Sequence, residues 1–192
     1  ADLGYAALRL GPVPSMGCDY LLKTIIPGCL GKLPRYLSLY TFTRTSVPDM
    51  ILCKLEFPII YPGGEGMKLE DCCAEVVGLV PVYTDTGDGC RIICCRADGS
   101  VYSYCESHSV EAVKRRLARC YALHLADQAR LLQRAYHRSP PLPFYFPDGR
   151  IFVPFKLRLA KIPGDGSYGY LEIKMIERLL PEGKGQCRII LL

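Results

Sequence analysis

The stretch that decides the fold is SHSVEAVKRRLARCYALHLADQARLLQRAYHRSPPLPFYFPDGRIFVPFKLR, residues 107–158. Its first part predicts a basic amphipathic helix, which must end before Pro140-Pro141, and its last part predicts two short aromatic strands. Ser107 or Ser109 can cap the helix, and Glu111 stands in the first turn, where the helix dipole favours an acid. We expect either one long helix or two helices with a kink near residues 122–126.

Apolar residues recur along this segment at three- and four-residue steps, which is typical of one buried helix face. The predicted buried stripe comprises Val110, Val113, Leu117, Cys120, Tyr121, His124, Leu131, Leu132 and Ala135. Because His124 lies on this stripe, we expect it to be a core histidine rather than a ligand. The helix is predicted to end by Arg138.

Residues 142–146 and 150–159 predict a hairpin around the turn at residues 147–149. In the second strand, Arg150, Lys156 and Arg158 alternate with apolar residues, so one face is predicted to be apolar and the other basic. A basic strand face is typical of a phosphate-contacting surface, and equally of an edge strand protected by charge.

Three further strands are predicted at residues 74–85, 90–95 and 100–105, separated by glycine-containing turns. Residues 73–95 align without gaps to residues 170–192, and Cys-Arg-Ile-Ile occurs at 90–93 and again at 187–190. We interpret the two segments as copies of one strand–turn–strand unit. The second copy stops in mid-strand at Leu192, and an open strand edge favours pairing with another chain.

The predicted fold class is therefore α+β. We expect an antiparallel, β-rich fold with two repeated strand–turn–strand units and one long basic amphipathic helix. The predicted organisation is an N-terminal β and loop region at residues 1–68, followed by a β–helix–β unit at residues 69–192. A single continuous domain is the alternative.

Charge is concentrated around the predicted helix. The net charge is +5, and residues 101–140 carry seven Lys or Arg against three acids, which is +4 of that total. Such a run is usually a solvated helix face, but its position beside aromatic strands also indicates nucleic-acid contact. Apolar residues make up 49% of the chain, which excludes a disordered protein.

No apolar run is long enough to span a bilayer and no signal peptide is visible, so we expect a cytoplasmic protein with no membrane contact. The eleven cysteines are then expected to be reduced thiols. Cys90, Cys94, Cys105 and His108 form the one cluster that suggests zinc, but their spacing matches no known finger. We expect no metal, no cofactor and no catalytic residue, and a thiol- or zinc-dependent enzyme is the least favoured alternative.

The motifs HRSPPLPF (137–144), FVPFKLR (152–158) and GYLEI (169–173) together resemble the middle of ComK-type competence transcription factors. The resemblance covers about residues 96–192. This sequence has Val153-Pro154-Phe155 where that family has Phe-Pro-Thr, and Tyr170 where the family has Trp. The strand–hairpin–helix order is also similar to that of LytTR-type DNA-binding domains.

The resemblance implies a transcriptional regulator that binds AT-rich double-stranded DNA as a homo-oligomer. It would neutralise phosphates and insert an Arg or Lys into a narrow minor groove. The predicted DNA-contacting residues are Lys114, Arg115, Arg119, Arg130, Arg134, Arg138, Arg150, Lys156 and Arg158. The main alternative is a protein-interaction or assembly module without catalytic activity, which is favoured if these basic residues do not converge on one surface.

Overall fold

The computed structural model describes residues 52–56, 61–62, 66–137, 139–182 and 185–192. Most of the predicted N-terminal region, residues 1–68, lies outside these described residues. The described residues all belong to one unit, residues 49–192.

Most of the regular structure in the described residues is β-sheet. The strands are β1 (Leu52–Glu56), β2 (Tyr61–Pro62), β3 (Val76–Thr84), β4 (Gly87–Cys95), β5 (Val101–Glu106), β6 (Phe144–Tyr145), β7 (Ile151–Lys156), β8 (Tyr168–Glu172), β9 (Ile176–Pro181) and β10 (Gln186–Leu191). The helices are α1 (Leu69–Cys72), α2 (Val110–Cys120) and α3 (Leu125–Tyr136), with a 3₁₀ turn at Ile173–Met175.

The strands form one mixed sheet in the order β2-β5-β4-β3-β8-β7-β1-β10-β9, and β6 pairs with β7 beside this path. β1 runs parallel to both β10 and β7, and β2 runs parallel to β5, while the other pairs are antiparallel. β1 and β2 therefore belong to the same sheet as the elements that follow residue 68. The predicted antiparallel α+β fold is therefore wrong, because the described residues are mostly β-strands in one mixed sheet.

The prediction of one long basic helix is also wrong. α2 ends at Cys120, where the N–H of Tyr121 donates to the carbonyl of Ala118, and Ala122 takes the left-handed conformation with φ 51°. α3 begins only at Leu125. After this turn the N–H of Leu123 donates to the carbonyl of Ala118 at 2.9 Å, and the Leu123 side chain packs against the core beneath α2.

The predicted buried stripe is only partly right, because Cys120 at the end of α2 is exposed, whereas Leu132 on α3 is buried. Val110, Val113 and Leu117 are buried, but the structure exposes Cys120, His124, Leu131 and Ala135. His124 is not a core histidine, because its Nδ1 lies in the open 2.8 Å from the Asp127 carboxylate.

Both halves of the predicted repeat form antiparallel hairpins, but their pairing differs. Cys90 lies opposite Pro81 in the β3–β4 hairpin, whereas the equivalent Cys187 lies opposite Pro181, which corresponds to Thr84. The register therefore differs by three residues. The second hairpin does not leave β10 open, because β10 lies between β1 and β9.

Apolar side chains cover both faces of the sheet. In β8, Tyr170 points into the cluster beneath α2, and its neighbour Leu171 points into a second cluster with Cys53 and Ile189. This alternation is the normal consequence of the strand pleat. β7 lies inside the sheet between β8 and β1, so the alternative of an edge strand protected by charge is wrong.

Candidate nucleic-acid interface

Most of the predicted DNA-contacting residues that are exposed in the structure lie on α2 and α3. Ser109 caps α2, since its side chain accepts a hydrogen bond from the N–H of Ala112 at 3.4 Å. With Val113 and Leu117 buried, the outer face of the helix presents Arg115 and Arg119, which stand one turn apart. The local pattern therefore fixes which face of α2 meets solvent.

α3 is attached to the sheet by a small number of contacts. Gln128 and Leu132 are its buried residues among those the structure describes. The Gln128 amide donates to the carbonyl of Tyr145 at 2.8 Å and accepts from the Tyr145 N–H at 3.2 Å, so one side chain satisfies both backbone groups of an edge residue in β6. The remaining faces of α3 are largely open to solvent.

Arg130 and Arg134 stand one turn apart on the open side of α3. Together with Gln133 and His137 they line a shallow depression of about 390 Å³. Arg130 Nη1 lies 3.2 Å from the Asp127 carboxylate, and both partners are well exposed, so this pair contributes little and can exchange for another anion.

Three of these four cations pair with no carboxylate among the described residues. Within the described part of the chain, neither Arg119 nor Arg134 forms an ion pair with a carboxylate. Arg115 donates from Nε to its own helix, to the carbonyl of Glu111 at 3.2 Å. The charge of these guanidinium groups is therefore directed at solvent.

Lys114 does not belong to this surface. Its Nζ donates to the Tyr170 hydroxyl at 2.8 Å and lies 3.2 Å from Glu111, and it sits over the rings of Tyr170 and Phe144. Burial lowers the pKa of Lys114, and the nearby Glu111 carboxylate opposes that shift. Burial likewise raises the pKa of Tyr170. The ammonium group of Lys114 is occupied by Tyr170 and Glu111 and is not available to a phosphate.

Arg150 is a core residue. Its side chain is 10% exposed, and its Nη1 donates to the carbonyl of Val76 at 2.8 Å and to the carbonyl of Cys73 at 3.3 Å. The same guanidinium donates to the Tyr121 hydroxyl and pairs with the Asp148 carboxylate at 2.9 Å. It joins the start of β3 to the end of α2, so its role is structural.

Arg158 is enclosed in a similar way. It pairs with the Asp88 carboxylate, donates from Nε to the carbonyl of Gly166 at 2.6 Å, and stacks on the ring of Tyr83 at 4.1 Å. Its side chain is 10% exposed. These contacts fix the loop before β8 against the β3–β4 hairpin.

Of the last two predicted positions, Lys156 adds nothing to the α2–α3 surface. Lys156 is half-buried at the end of β7, opposite Tyr168 of β8 and Leu52 of β1. Arg138 lies outside the described residues. The eight described positions of the prediction therefore divide into four exposed arginines on two helices and four residues held within the fold.

Sequence reasoning missed a groove of about 650 Å³ that runs between α2, the start of α3, the segment 140–144 and the loop before β8. Glu111, Lys114 and Tyr170 stand together in it, since the Tyr170 hydroxyl donates to Glu111 Oε1 at 3.0 Å. The three-residue spacing of Glu111 and Lys114 was visible in the sequence. Nothing in the sequence signalled that Tyr170 would join them.

The cysteine and histidine cluster does not assemble. Cys90 and Cys94 are buried on the sheet face beneath α2, whereas Cys105 and His108 are exposed. Among the described residues, no group of three or more His, Cys, Asp or Glu side chains is placed to hold a metal ion. No helix in the described ranges has the length and apolar character needed to cross a bilayer.

No protein-family model, no curated protein and no solved structure matches this chain. The resemblances to ComK-type and LytTR-type proteins therefore stay predictions.

Proposed function

We propose that this protein binds double-stranded DNA through the outer faces of α2 and α3 and acts as a transcriptional regulator, with no catalytic step of its own. One observation carries the proposal. Arg115 and Arg119 on α2, and Arg130 and Arg134 on α3, are four exposed arginines on consecutive helices. Phosphate neutralisation by such residues supplies most of the affinity of proteins for duplex DNA.

The connection between the helices supports this function. Only residues 121–124 separate α2 from α3, a length that is typical of helix–turn–helix units. Such units place the second helix in the major groove, which requires that one face of this helix is open to solvent. α3 meets this requirement, because Gln128 and Leu132 are its buried residues among those described.

The finer claims belong to the same proposal. The preference for AT-rich duplexes and the homo-oligomeric state rest on the resemblance to ComK-type proteins. The cytoplasmic location is likewise part of the proposal, and it implies that the eleven cysteines are reduced thiols.

The test is the binding of a labelled AT-rich duplex, followed by fluorescence anisotropy as a function of salt. If all four arginines contact phosphates, log K should fall against log salt with a slope of about −3.6 for one copy of the chain. Substituting Arg119→Gln together with Arg134→Gln should reduce the magnitude of that slope by about 1.8.

The matched control is the double variant Arg91→Gln and Arg178→Gln, which removes the same net charge. Arg91 is exposed on the face of β4 opposite to α2, and Arg178 is exposed on β9. We expect this variant to keep the parent slope. Equal losses in both double variants, or no binding at low salt, would contradict the proposal and favour the interaction module.

A further inference from the structure

Two cysteines from distant parts of the chain meet in the sheet. Cys53 of β1 and Cys187 of β10 are direct partners on neighbouring parallel strands, so their side chains point to the same face. Their sulfur atoms lie 3.0 Å apart. Adjacent strands are separated by about 4.8 Å, which falls within the range of Cα distances that a disulfide spans.

The two thiols differ in their access to solvent. Cys53 is buried, with 6% of its surface exposed, whereas Cys187 is only partly buried. Another close pair, Cys72 and Cys94, has its sulfur atoms 4.0 Å apart, and both of those residues are fully enclosed. An oxidant from solvent can therefore reach Cys187 without unfolding of the core.

We propose that Cys53 and Cys187 form a reversible oxidation site, which a low-molecular-weight disulfide such as oxidised glutathione converts into an intramolecular disulfide. The Cys187 thiolate attacks one sulfur of the oxidised glutathione and displaces a glutathione thiolate, which leaves a mixed disulfide on Cys187. Cys53 then loses its proton and attacks the Cys187 sulfur, which releases the second glutathione. Two protein thiols are oxidised, one glutathione disulfide is reduced, and the two protons from the protein end on the two glutathione thiols.

The electrostatics of the pair assign these roles. The hydrogen bond between the two sulfurs lowers the pKa of Cys187, and partial burial opposes this. The same hydrogen bond, together with burial, raises the pKa of Cys53. Once Cys187 is in the mixed disulfide it no longer carries a negative charge, so the main cause that held the Cys53 proton is removed.

The bond would join residues 134 apart in sequence and tie β1 to the β9–β10 hairpin. Closing a loop of this length constrains the unfolded chain, so oxidation should raise the Tm by roughly 5–15 °C. Because the pair lies away from α2 and α3 in the sheet order, this proposal does not depend on the proposed DNA surface.

The test uses the whole chain, equilibrated with mixtures of reduced and oxidised glutathione and digested without reductant. We expect mass spectrometry to find a peptide pair joined through Cys53 and Cys187, and the oxidised protein to melt at the higher temperature. The Cys53→Ser variant should instead accumulate glutathione on Cys187, since no second thiol can resolve it. The Cys187→Ser variant should leave Cys53 unmodified.

Cys105→Ser is the control, because Cys105 is exposed on β5 and is not part of the pair. It should not alter formation of the joined peptides. Glutathione on Cys105 and Cys120 without any Cys53–Cys187 linkage would overturn the proposal, and so would a predominant Cys72–Cys94 linkage. The analysis of the unsubstituted protein decides the question even if a serine variant fails to fold.

Discussion

Replacement of Arg150 by methionine should destabilise the fold strongly. The change removes the donors to the carbonyls of Cys73 and Val76 and the contacts with Tyr121 and Asp148, but it keeps a long apolar side chain. A buried acceptor left without a donor costs about 1–3 kcal/mol. Removal of one partner of a buried ionic network costs about 3–5 kcal/mol, and we expect Arg150→Met to lie in that range.

The free energy of unfolding would be measured by urea denaturation, followed by circular dichroism because the chain contains no tryptophan. Arg178→Met is the control, since Arg178 is exposed and pairs only with its neighbour Glu177 within the described residues. Its effect should stay within about 0.5 kcal/mol. A loss below about 1 kcal/mol at Arg150 would refute the structural role. If Arg150→Met leaves the stability unchanged but weakens DNA binding, Arg150 contacts phosphate as the sequence predicted.

Two further predictions concern β8. Burial raises the pKa of the Glu172 carboxyl above its ordinary value of 4.5 in the folded chain, so ionisation costs stability as the pH rises from that value. Wild type should therefore lose stability relative to Glu172→Gln as the pH rises, and parallel urea titrations of the two proteins at a series of pH values check this. At Gly169, a Cβ would collide with the carbonyl of Leu79 and the side chain of Leu157. We therefore expect Gly169→Ala to lower the free energy of unfolding by about 1–3 kcal/mol, measured by urea denaturation. Gly166→Ala is the control and should cost less than half as much, because a Cβ there would lie 3.6 Å from the nearest atom, Asp88 Oδ2.

Local chemistry predicted the strands around the β3–β5 meander well. The expected strands at residues 74–85, 90–95 and 100–105 correspond to β3, β4 and β5, because alternating β-branched residues and glycine turns encode antiparallel neighbours. The cap at Ser109 was equally visible. These features depend on residues that are close in sequence, so they can be predicted without knowledge of the tertiary structure.

No local sequence pattern predicted the mixed topology of the sheet. Cys53 pairs with Cys187 across most of the described chain, and no short-range pattern distinguishes a parallel partner from an antiparallel one. The same limit explains why Arg150 and Arg119 looked alike. Arg150 finds its acceptors on residues 73 and 76, which the fold alone brings to it, whereas Arg119 forms no ion pair with any residue that the structure describes.

The number of exposed arginines also bears on the proposed oligomer. Four phosphate contacts, with a slope of about −3.6, weaken binding by about 150-fold between 50 and 200 mM salt. One copy thus provides fewer contacts than the six to ten that are typical of a specific site. Two copies on one duplex would make about eight contacts, which lies within that range and gives a slope of about −7. A slope that steepens from about −3.6 to about −7 as the protein concentration increases would support binding by paired copies. A slope that does not change with protein concentration would argue that each copy binds alone.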